Sequence, residues 1–345
     1  MMMNKHLGIP VIDSHIHLYP ESEIDSISWL EAGHPLDGQH SVQDFRNASK
    51  SSPSVSGFVV VENDRKFDLH AGEEGWEGPL KEVSWYRRMA LGEPKAGEGH
   101  TTEDSRLVLG LVPWAPLPNG PAALETYLDR AKQVAGPAWP KVKGFRYLLQ
   151  DKAAGTALER DFIESLKLLG RRGFIFELCI DYHQKGKSQL DDIVELIKRA
   201  HADVARHDEK VIVVLNHMLK PSLTAPFDES NDEFRVWAAA VAVLGTFPRV
   251  YMKLSGALSE MSESTRLLSP PAVAEFLLPW FRVIIQAFGP QRIMFASDWP
   301  VCTIGVENAW AHWKSIVEAM CAKLDLDASD IEAIFAGTAK ESYKV

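Results

Sequence analysis

A TIM-type (β/α)8 barrel, with loop insertions at its C-terminal face, is the fold this sequence predicts. Three observations lead there. Eight short β-rich runs alternate with longer amphipathic segments along the whole chain. Several of those runs are almost continuously apolar, as parallel strands covered on both faces are. The length, 345 residues at 46% hydrophobic content, suits one large barrel better than a pair of ordinary domains.

The eight runs fall at residues 11–15, 56–61, 107–112, 142–148, 174–180, 211–216, 250–254 and 292–296. Between them the pattern changes to helical spacing. In 156–171, Leu158, Phe162, Ile163, Leu166 and Leu169 recur on one face. Ser188-Gln189-Leu190-Asp191 reads as a capping box ahead of Leu190, Ile193, Val194 and Ile197. Residues 272–288 are helical in pattern, with a kink expected at Pro279. Two connections are long: 62–104, with one helix expected over 79–91, and 218–230. Both follow strand C-termini, where they would serve as lids, as substrate walls or as surface decoration. A single barrel domain over 1–345, with an insertion at about 62–104, is the organisation expected.

Composition narrows the function classes. A net charge of −10 argues against a nucleic-acid or anionic-membrane partner, which would call for a basic surface. Cys179, Cys302 and Cys321 are too scattered for a disulfide framework and form no Cys-x-x-Cys pair. Residues 1–10 carry no apolar signal core and no run of 18 apolar residues occurs, so a cytoplasmic protein is expected.

The chemistry-bearing residues sit at strand ends. His15 and His17 follow the first run, two apart, so a strand would point both the same way, a common grip for a divalent metal. Asn216-His217-Met218 closes the sixth run, Lys253-Leu254-Ser255-Gly256 the seventh, and Ala296-Ser297-Asp298-Trp299-Pro300 the eighth. Strands one and eight are neighbours in a closed barrel, so three histidines and an aspartate would converge on one mouth. Glu177 is a lone carboxylate in the apolar run 174–180, which is costly unless it is paired or on a metal. No Gly-x-Ser-x-Gly elbow, Walker sequence or dinucleotide fingerprint is present. His34, His40, His70, His100, His201, His207 and His312 lack partner spacing and read as surface histidines.

These motifs resemble the amidohydrolase superfamily, in the amidohydrolase-2 branch that includes sugar-acid lactonases and 2-pyrone-4,6-dicarboxylate lactonase. The matching pieces are residues 11–17, Val142-Lys143-Gly144-Phe145-Arg146, Asn216-His217-Met218-Leu219-Lys220-Pro221, 251–256, 294–300 and the closing 335–340. The resemblance implies a hydrolase, like the L-rhamnono- and L-fucono-lactonases, that opens a sugar-acid lactone. Asp298 would activate the water; the alternative is a helix cap. His15 and His17 would hold a divalent metal, zinc in the first place, or polarise the substrate themselves. His217 would be a ligand or substrate contact, against the alternative of a core histidine. Arg146 suits a substrate carboxylate or carbonyl, or an ion pair with a nearby acid. Relatives with a full metal site often carry a fifth-strand histidine; here Glu177 stands there, as a ligand or base or in a salt bridge, with His183 three residues beyond the strand. Lys253 would bond the substrate, and Trp114 and Trp299 would stack on a sugar ring. The rival functions are a metal-dependent decarboxylase of an aromatic or unsaturated acid, and a barrel that binds a sugar acid without catalysis.

Overall fold

The structure, a computed structural model, describes residues 8–52 and 54–345; the start of the chain, Met1–Leu7, where the absence of a signal core was read, lies outside them. Among the described residues eight strands are present: β1 (Val11–Ile16), β2 (Val55–Val61), β3 (Val108–Val112), β4 (Gly144–Arg146), β5 (Ile175–Leu178), β6 (Ile212–Leu215), β7 (Val250–Leu254) and β8 (Ile293–Phe295). All pair in parallel, β1-β2-β3 in one sheet and β4 to β8 in the other. A helix follows each: α1 (Val42–Ser49), α2 (Glu77–Leu91), α3 (Gly120–Ala135), α4 (Arg160–Arg171), α5 (Lys187–His201), α6 (Asp232–Gly245), α7 (Pro270–Phe288) and α8 (Ala309–Lys323). This is the (β/α)8 order that the alternating pattern predicts.

Single bridges and loop bonds join the sheets at both seams. Between β3 and β4, Lys143 N donates to Leu111 O at 2.9 Å and Arg146 N to Pro113 O at 2.9 Å. Between β8 and β1, His17 N donates to Trp299 O at 2.7 Å and Asp298 N to His15 O at 3.0 Å. Asp13 fastens this second seam, accepting from Ser297 N at 2.9 Å and Trp310 Nε1 at 2.8 Å. Its carboxyl is fully buried, and burial pushes its pKa up to about 6.

Side chains alternate across the strands. Phe176, Leu178, Met252 and Leu254 join the large core under the helices, while Glu177 and Lys253 point into the barrel. Register shifts in β1 let Ile12 and His15, three apart, both face inward. Below the polar layer a small inner core of Ile12, Val61, Val112, Ile175, Val214 and Met294 is closed by Ala336, Ala339 and Tyr343; the last two belong to α9 (Thr338–Tyr343).

Several local expectations change. The helix expected at 79–91 is α2, which takes the regular second helical place in the barrel; the excess length of 62–104 lies in the loops beside it. The capping box at Ser188 does not form. Helix α5 starts earlier, at Lys187, whose ammonium takes Asp191, and Ser188 Oγ donates backward to Lys185 O instead. The helix expected over 272–288 is α7, which starts two residues earlier, at Pro270, and includes Pro279. It is long and apolar enough to cross a membrane by length and composition, yet Val273, Leu277, Trp280, Phe281 and Ile284 are buried in the core beneath it. His100 and His201, expected at the surface, are buried: His100 lies edge-on to Trp85, and His201 Nε2 bonds Val211 O at 2.8 Å.

Candidate active site

Three strand ends build the site. Beyond β6 the chain makes a left-handed turn in which His217, Met218, Leu219 and Lys220 have φ of 54°, 53°, 64° and 49°. Such a run of non-glycine residues costs roughly 1–2 kcal/mol per residue and persists only when held. Here Trp237 Nε1 donates to Met218 O at 2.8 Å and His183 N to Lys220 O at 2.9 Å. The turn throws the His217 ring back over the barrel. Gly256, after β7, leaves the room: a Cβ there would lie 2.6 Å from His217 Cβ. Ser255 Oγ then meets His217 Nδ1 at 2.9 Å. Asp298, beyond β8, is likewise left-handed, with φ of 62°.

These turns gather four groups around one point. Asp298 Oδ1 is 3.7 Å from His15 Nε2, 3.5 Å from His17 Nε2 and 3.8 Å from His217 Nε2. His15 Nε2 and His17 Nε2 are 3.1 Å apart. All four side chains are buried: His15 fully, with His217 and Asp298 5% and His17 7% exposed. Burial raises the Asp298 carboxyl, but His217 and His17 outweigh it and hold the pKa below the ordinary value. Burial lowers His217 to about 3 and His15 well below the usual imidazole range. His15 and His217 are therefore neutral beside an ionised carboxylate.

The donor set fits a divalent metal. One atom from each of His15, His217 and Asp298 lies within 4.8 Å of the other two. Two of the rear nitrogens are held as ligating imidazoles require, beside an oxygen that can accept the ring N–H: His17 Nδ1 bonds Val61 O at 3.1 Å and His217 Nδ1 bonds Ser255 Oγ. At His15 Nδ1 the Lys253 ammonium, which only donates, lies at 3.2 Å, and Glu177 Oε2, the acceptor for an N–H there, at 3.8 Å.

Glu177 does not enter the metal cluster. Its carboxylate is spent on Lys253 Nζ at 2.6 and 2.7 Å, Asn216 Nδ2 at 2.5 Å and the Tyr343 hydroxyl. It is the salt bridge, the second of its sequence readings. Lys253 is buried in that pair below the histidines rather than open to substrate; burial lowers its pKa to about 8 against the pull of Glu177. His183 bonds Glu260 at 2.7 Å, clear of the cluster. Trp114 is 1% exposed and packed against Phe67 and Tyr127; Trp299 is 3% exposed beside His40 and Phe45. Neither indole offers a face to a sugar ring.

Arg146 lies at the end of β4, close enough that its charge helps keep His15 and His217 unprotonated. Glu62 aims it, accepting from Nε at 2.5 Å through Oε1 and from Nη2 at 2.6 Å through its carbonyl. Sequence reasoning placed Ser255 at the end of the seventh strand without giving it His217 as a partner, and it missed Glu62, Asp13 and Tyr343. The only hint for Glu62 was a carboxylate directly after the apolar run 56–61.

A family model described as Amidohydrolase matches residues 12–345. The L-rhamnono-gamma-lactonase of Scheffersomyces stipitis is 33% identical over 343 residues, 97% of this chain and 98% of its own. The L-fucono-1,5-lactonase of Burkholderia multivorans is 32% identical over 215 residues, 62% of this chain and 66% of that one. Among solved structures, an amidohydrolase from Burkholderia multivorans crystallised with bound zinc has a TM-score of 0.72 at 23% identity, covering 97% of this chain and 99% of its own.

Proposed function

The chain belongs to the amidohydrolase family, and from that premise we propose that it hydrolyses the ring ester of a sugar-acid lactone. The observation that carries the reading is the placement of Asp298 Oδ1 within 3.8 Å of three imidazole Nε2 atoms. Similarity to a rhamnonolactonase over nearly the whole chain supports the substrate class.

Asp298 is ionised, so it can take a proton from water as that water attacks the ring carbonyl. Arg146, fixed by Glu62, supplies N–H donors and positive charge for the oxygen that becomes negative. The bond from the carbonyl carbon to the ring oxygen then breaks, and Asp298 returns the proton to the departing alkoxide. Water is consumed and a hydroxy acid is the product. His15 and His217, kept neutral by burial, would hold a divalent ion together with His17 and Asp298. When bound, zinc would acidify water and polarise the carbonyl.

The test is a panel of aldono- and aldaro-lactones assayed by the acid released to a pH indicator, with the enzyme as purified, after chelation and after zinc is restored. Turnover that falls on chelation and returns with zinc is expected. No turnover on any lactone would overturn the substrate class, and full turnover without metal would remove the ion from the account.

A further inference from the structure

We propose that Tyr343, on α9, is a positioning residue for the site: it holds Glu177, and through Glu177 and Lys253 it fixes the ring of His15. The inference rests on the reading of His15 as a metal ligand.

Helix α9 belongs to the segment that closes the inner core beneath the strands. Tyr343 is 1% exposed, and its hydroxyl donates to Glu177 Oε1. Glu177 thus collects three donors, from Asn216 on the β6 side, Lys253 on β7 and Tyr343 from below. The phenol ring also faces the ammonium, with Lys253 Nζ 5.6 Å from its centroid. Tyr343 therefore touches both halves of the buried ion pair.

That pair is what His15 rests on. Lys253 Nζ is 3.2 Å and Glu177 Oε2 3.8 Å from His15 Nδ1, the nitrogen turned away from Asp298. Nothing about ordinary packing requires this. A phenylalanine would fill the same inner core without donating. A buried carboxylate that loses a donor shifts toward those remaining, Asn216 and Lys253, and the ammonium moves with it. The His15 ring then loses its fixed support. A ligating His15 carries its proton on Nδ1, where the Glu177 carboxylate and not the Lys253 ammonium can accept it; acceptors behind metal-ligating histidines typically control metal affinity by about 10–100-fold, and Tyr343 holds that acceptor in place.

The experiment measures zinc affinity of the metal-stripped protein by competition with a chromophoric chelator, beside thermal melts by circular dichroism. Tyr343→Phe keeps the ring and its contact with Lys253 and should fold. Ile334→Val, in the same closing segment but packed in the outer core, is the control for general loosening. The expected result is zinc binding at least about 10-fold weaker in Tyr343→Phe and within about twofold of the parent in Ile334→Val. Equal zinc affinity in Tyr343→Phe and the parent overturns the proposal, as does an equal loss in both variants. Glu177→Gln gives a second route that does not alter Tyr343: it must also weaken zinc, and unchanged affinity there breaks the chain at its middle link. A parent protein that binds no zinc would overturn the metal reading and this proposal together; a parent that binds zinc as tightly as Tyr343→Phe overturns this proposal alone.

Discussion

Gly256→Ala tests the geometry of the site through a residue that carries no chemistry. Two costs can be worked from the structure. Gly256 has φ of +73°, where a residue with a Cβ is strained by roughly 1–2 kcal/mol. The added methyl would lie 2.6 Å from His217 Cβ and 2.9 Å from Cγ, against an ordinary carbon–carbon separation of about 3.5–4 Å. His217 must therefore retreat by roughly 1 Å. It cannot do so freely, since it heads a left-handed turn clamped by Trp237 and His183. A displacement of that size at a reacting centre costs on the order of 100-fold in rate. Steady-state lactone hydrolysis should show kcat down by that order, with a melting temperature only a few degrees lower, as about 1–2 kcal/mol in a domain of this size implies. A Gly256→Ala enzyme with kcat within about threefold of the parent would refute the placement of His217 in the reacting geometry.

Arg146→Met leaves the Glu62 carboxylate buried without its ion-pair partner, so urea unfolding should show a loss of about 3–5 kcal/mol, accompanied by a fall in kcat. For the metal-free protein, pH dependence follows from His217, which burial lowers from 6.5 to about 3. The unfolded chain protonates that imidazole near 6.5 while the folded protein does not, so the unfolded state binds more protons between about 3 and 6.5 and stability falls as pH drops through that window. Asp13, raised from 3.8 to about 6, and Glu62, raised from 4.5 to about 7, work in the opposite direction over their own intervals. The His217 contribution is therefore read as a difference: between pH 7 and pH 5 the urea midpoint of the parent should lose ground relative to that of His217→Asn, and parallel midpoints in the two proteins would contradict it.

The strands were legible because burial on both faces writes them as β-branched runs; 250–254 agrees end for end with β7, and the others differ by one to four residues at their ends. His15, His17, His217 and Asp298 were legible because each stands directly after such a run, and a barrel brings strand ends together whatever their separation in sequence. What could not be read was who satisfies whom. Glu177 looked like a ligand because it is a buried acid; its partners Lys253 and Tyr343 lie 76 and 166 residues away. Trp114 and Trp299 looked like sugar platforms because they follow strands, yet an indole just past a strand can equally turn into the helix layer, and both do. The left-handed turn at His217–Lys220 has no glycine or asparagine within it to announce it. Its stability comes from Trp237 and His183, residues of other elements.

The most direct test of the central claim is kcat for Asp298→Asn on the best lactone of the panel, with the fold checked by circular dichroism. An amide at 298 keeps the shape of the site but cannot take the proton of the attacking water. Loss of turnover by about 100- to 10,000-fold with the fold intact is the result predicted. Hydrolysis at a rate near that of the parent enzyme would contradict the account.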